Sequence, residues 1–85
     1  MATKTWRLGE VAVGGKIKIT TTATIVTVQA LDYYTDKELQ SKSFNLLNGS
    51  DREIEWYLGD LTTSYYAGKL MDWLKTKVKF PESSW

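Results

Sequence analysis

The chain has 85 residues with no histidine and no cysteine, and eleven Lys plus Arg against ten Asp plus Glu leave a formal net charge of +1. Those absences remove imidazole acid–base chemistry, thiolate attack, disulfide staples and the usual zinc ligands, and the even charge excludes a polybasic or strongly acidic tail. Four Trp, five Tyr and two Phe remain, so a domain this small is expected to be held by aromatic packing and self-association and to work by presenting surface.

The elements are predicted in chain order as follows. Residues 5–13 form a short strand with Trp6 and Leu8 on one face and a bulge at Gly9. Gly14-Gly15 is a turn, and Lys16 to Thr22 alternates apolar and polar with Ile17 and Ile19 on one face, the pattern of a half-buried strand. A hairpin bend near Thr22 and Ala23 leads into a β-branched strand over 24–34 that ends in Tyr33-Tyr34. Thr35-Asp36-Lys37 turns the chain, and 38–46 returns as a fourth strand with Phe44 and Leu46 inward.

The period then changes. Ser50 with Glu53 matches a capping box, and Asp51, Glu53 and Glu55 suit the positive end of a helix dipole. Ile54, Tyr57, Leu58 and Leu61 share one helical face, whereas Tyr66, Leu70, Trp73 and Leu74 form a second stripe out of register with it. Gly59 and the polar residues after it supply a break, which predicts two helices, 51–58 and 62–78, or one helix kinked between them. Pro81 stops the second. The expected architecture is α+β: one domain over 1–80 in which a four-stranded antiparallel meander is covered on one face by the C-terminal helices, with 81–85 as a tail.

Nothing in this pattern assembles a catalytic site. The carboxylates at 51, 53 and 55 read as dipole partners of the helix start, and Gly14-Gly15-Lys16 leads into a strand and lacks the spaced glycine of a phosphate loop. The expectation is therefore no enzyme, no cofactor, no metal and no small-molecule substrate. No apolar run approaches the ~18 residues that span a bilayer, and the N-terminal residues lack a signal-peptide core, so no membrane association and a cytoplasmic location are expected.

Binding surfaces are more promising. Residues 1–48 hold six basic and four acidic groups, which leaves the strand half mildly cationic. Lys16, Lys18 and Lys42 with Tyr33 and Tyr34 supply the cations and flat rings that sequence-tolerant binding of single-stranded nucleic acid requires. The alternative is that these lysines are the solvated face and blunted edge of an ordinary sheet.

The stretch 25–61, IVTVQALDYYTDKELQSKSFNLLNGSDREIEWYLGDL, resembles in layout the small single-stranded-DNA-binding domains related to the transcriptional coactivator positive cofactor four. An apolar strand ending in aromatics, a charged turn, a strand closing on Lys42-Ser43-Phe44-Asn45-Leu46 and a polar-capped helix carry the resemblance. Ser43 stands where that family has Gly, and a second helix has no counterpart in its minimal domain. The resemblance implies that Lys42, Tyr33 and Tyr34 contact a nucleic acid strand and that the protein is a homodimer.

The C-terminal half offers a second class of function. Trp56-Tyr57, Tyr65-Tyr66 and Trp73 cannot all enter one core, because helical neighbours diverge by about 100°. Tyr65, Tyr66, Leu70 and Trp73 are accordingly expected at a protein interface, in a homo-oligomer or against another protein, unless a small core simply uses large side chains.

Overall fold

Residues 1–48 and 51–80 are described in a computed structural model. The strands β1 (Ala2–Arg7), β2 (Gly15–Thr21), β3 (Ile25–Asp32) and β4 (Glu38–Asn45) form one antiparallel sheet in the order β1-β2-β3-β4. Two helices follow, α1 (Asp51–Leu61) and α2 (Ser64–Lys77). The α+β meander with C-terminal helices is therefore the architecture of this chain. Ser50 of the expected capping box, Pro81 and the 81–85 tail lie outside the described residues.

Alternation along the strands decides which face is covered. Ile17, Ile19, Val26, Val28, Ala30 and Phe44 point to one side, where they pack with Ile54, Leu58, Leu61, Ala67, Leu70, Met71 and Leu74 of the helices. Every side chain from Ile17 to Val28 in that set is fully buried, so β2 and β3 anchor the core and the edge strands β1 and β4 flank it. The other face carries Thr3, Thr5 and Arg7 of β1, Lys16, Lys18 and Thr20 of β2, and Thr27 and Gln29 of β3, paired onward to Ser43 and Ser41. Threonine and serine suit a pleated surface that one side leaves to water.

Boundaries differ from the sequence expectation by one to several residues in most elements, the first strand running over Ala2–Arg7 where 5–13 was expected, and two of the differences have a visible cause. The first strand ends at Arg7, because Gly9 takes a positive φ of 65° and starts a 3-10 turn over Gly9–Val11 in place of a bulged continuation. Gly59 does not end α1, which runs on to Leu61; the break falls at Thr62-Thr63, where the Thr63 side chain accepts the Tyr66 N–H at 3.3 Å as the N-cap of α2. The answer to one kinked helix or two is two.

The β2–β3 bend, which no Gly, Pro or Asn marks, is built by threonine. The Thr22 hydroxyl accepts the Ile25 N–H at 3.0 Å, while the Thr22 N–H donates to the Ile25 carbonyl at 2.8 Å. In the β3–β4 turn Asp32 does the same work with more charge. Its Oδ1 accepts the N–H groups of Tyr34 and Thr35, both at 2.9 Å. The Thr35 and then the Tyr34 amide bond hold the Asp32 carboxyl below the usual aspartate range, with a smaller pull from Lys16. A carboxyl depressed in the folded state contributes stability above its unfolded pKa and loses it as pH falls through the folded value. The turn is therefore expected to stay closed at neutral pH and to loosen only below the ordinary aspartate range. Amide shifts of Tyr34 and Thr35 followed by NMR through acid should move together there, and movement in the ordinary aspartate range would contradict this account.

Candidate functional site

The structure does not bring Lys16, Lys18, Lys42, Tyr33 and Tyr34 onto one surface. Lys16 and Lys18 share the open face, but Lys16 is only 5% exposed and ion-pairs with Asp36 of the β3–β4 turn. Lys42 pairs across from Val28, so it lies on the helix side of the sheet. Its ammonium sits 5.2 Å from the Phe44 ring centre and 5.7 Å from that of Tyr57 on α1. Tyr33 and Tyr34 lie past the end of β3. There the Tyr33 N–H donates to the Gly14 carbonyl at 2.8 Å and the two rings meet edge-on at 5.1 Å. The open face itself carries no aromatic ring among the described residues. Of the five, Lys18 alone is left as a half-exposed cation beside the polar rows.

The expected interface set also divides. Leu70 is wholly buried in the core. Trp73 is half-buried and meets Trp6 of β1 edge-on, 5.2 Å between ring centres and 85° between planes, so it fixes α2 to the edge of the sheet. Tyr66 is half-buried against the same core. Tyr65 is the member that reaches solvent, 65% exposed, with its ring 5.2 Å from that of Tyr66 and the Lys69 ammonium 5.1 Å above it. The correction is physical: Tyr66, Leu70 and Trp73 follow one another at four and three residues, so one inward stripe takes all three, while Tyr65 is turned out.

A residue outside that set stands out. Trp56 of α1 is 81% exposed. Ile54, Leu58 and Leu61 take the inward face of α1, and Trp56, two residues from Ile54, is rotated about 200° from it. The spacing carried that signal in the sequence. Beside Trp56 an open groove of about 510 Å³ runs between the helices, lined by Glu55, Trp56, Gly59, Asp60, Ser64 and Ala67. Gly59 and Ala67 keep it free of bulk; Glu55 and Asp60 make it acidic.

The two helices differ in charge. In α1 Asp51, Glu53, Glu55 and Asp60 outweigh Arg52, a net of −3. In α2 Lys69, Lys75 and Lys77 outweigh Asp72, a net of +2. No group of three or more His, Cys, Asp or Glu side chains among the described residues is arranged to hold a metal. No described helix is long and apolar enough to cross a membrane.

Comparison with known proteins finds no family model, no curated protein and no solved structure that matches this chain.

Proposed function

We propose that this protein is a non-enzymatic protein-docking module whose contact surface is the outer face of α1 and α2. The observation that carries the reading is Trp56, a large ring 81% exposed beside the groove between the helices. Trp and Tyr are the side chains that most often dominate binding energy at protein interfaces, because they bury much apolar area with few rotatable bonds. Trp56 and Tyr65 sit on consecutive helices, both turned away from the sheet.

Single-stranded nucleic acid binding, which the resemblance to the positive cofactor four domains implied, needs cations and stacking rings along one track. The lysines and tyrosines that would supply them are split between the open face, the helix side of β4 and the β3–β4 turn. The helical surface needs no such rearrangement, so we favour it.

The test is site-specific photocrosslinking in cells that make the protein. A photoreactive phenylalanine in place of Trp56 is expected to give a discrete covalent protein adduct, and the same group in place of Thr5 on the open sheet face is not. Absence of any protein adduct from position 56 would sink the reading.

A further inference from the structure

Resting on that docking surface, we infer that its occupant is a second copy of this chain, packed about a two-fold axis so that α1 of each protomer lies along α2 of the other. Three features of the helices point to this pairing.

The first is charge. The groove beside Trp56 is acidic through Glu55 and Asp60, whereas the exposed face of α2 offers Tyr65 with Lys69 held over its ring. A two-fold contact sets the same patch against itself, so a surface with an acidic half and a basic half meets its own complement when the halves cross. Net −3 on α1 against net +2 on α2 is such a surface.

The second is the pair of glycines. Gly59 lies inside α1 and Gly68 inside α2. Neither has a positive φ, and a Cβ at either would meet nothing within 4 Å. The fold thus gives no reason for two residues that weaken helices relative to alanine. A bare stretch of helix on an outer face does let another surface approach closely.

The third is where the rings stand. Trp56 precedes Gly59 by three residues and Tyr65 precedes Gly68 by three, so each helix carries a ring and a bare patch side by side on its outer face. Crossing α1 over α2 of the partner brings the Tyr65 ring of one protomer onto Gly59 of the other and Trp56 onto Gly68. Lys69 then reaches Glu55 and Asp60 across the contact. Symmetry repeats each contact, and the exposed ring of each helix becomes covered.

Charge reversal in both directions tests the arrangement. The double variant E55K/D60K and the single variant K69E each face like charge with like in a self-pair. Each should self-associate at least about tenfold more weakly than the unaltered protein. Mixed in equal amounts, the two variants restore opposite charge in both copies of the contact, and a heterodimer should form that native mass spectrometry distinguishes by mass. Gly59→Ala adds a readout separate from folding: the melting temperature should rise while association weakens. The inference is overturned if the unaltered protein stays monomeric at concentrations on the order of 1 mM, if the reversals leave its association unchanged, or if the mixture fails to restore it. A monomer that still forms an adduct with a different protein from position 56 would leave the docking surface standing and remove only the second copy. A protein that fails both experiments would lose both.

Discussion

Replacing Leu70 with alanine is expected to lower the unfolding free energy by about 3–4 kcal/mol. The side chain is wholly buried and belongs to the cluster in which α2 meets α1 and the sheet. Truncation removes the apolar area that Leu70 keeps from water and leaves a cavity that its neighbours fill only in part. A single domain of this size has a stability of about 5–15 kcal/mol, so the loss is a large share of the whole. Urea unfolding followed by far-ultraviolet circular dichroism measures it directly. Tyr65→Ala, one helix face away, removes a ring that is exposed in the monomer, and at protein concentrations too low for self-association it should change stability by no more than about 0.5 kcal/mol. The pair separates two roles that the sequence had placed together. If Leu70 belonged to a contact surface, its loss would change association and leave the midpoint of unfolding in place.

That contrast shows where the chain was legible. Alternation of Ile17 and Ile19 against lysine and threonine was enough to orient β2, and the 3.6-residue stripe of Ile54, Leu58 and Leu61 was enough to orient α1. The same two periodicities already separate several candidate site residues. Lys42 stands two positions before the inward Phe44 and so shares its side of the sheet, while Lys16 and Lys18 flank the inward Ile17 and point the other way. Trp56 could have been placed outside by the same arithmetic. What periodicity does not carry is contact between distant segments. Lys16 sits on the open face as its position requires, yet Asp36, on the far side of β3 in sequence, pairs with it and takes it out of water. The Thr22 bend leaves little trace in the sequence for a related reason: a threonine hydroxyl supplies the turn geometry that Gly or Asn would announce. Glycine so often ends a helix that Gly59 reads as a break in the sequence; within α1 its helical φ makes it an ordinary member of the helix with nothing over it.

At the end of the sheet where two turns meet the backbone should tolerate change poorly, and Gly14→Ala is expected to cost about 3 kcal/mol or more. Gly14 has a φ of 71°, a region that costs an L side chain about 1–2 kcal/mol before any contact is considered. Contact adds to it. A Cβ there would stand 2.6 Å from the Leu31 carbonyl oxygen and 2.5 Å from Leu39 Cδ1. The leucine side chain can swing away, but the carbonyl belongs to β3 and moves only with the strand. Displacing Gly14 instead would disturb the clamp between the turns, in which its carbonyl accepts the Tyr33 N–H at 2.8 Å and the neighbouring Gly15 carbonyl accepts the Leu8 N–H at 2.9 Å. Gly9 provides the control, since it has a similar φ of 65° and open space where its Cβ would go. Gly9→Ala should therefore cost about 1–2 kcal/mol, the backbone contribution alone. Thermal unfolding of the two variants side by side isolates the steric part as their difference. Equal losses would mean that β3 yields to the added methyl group, and that the two turns are not locked together in the way their hydrogen bonds imply.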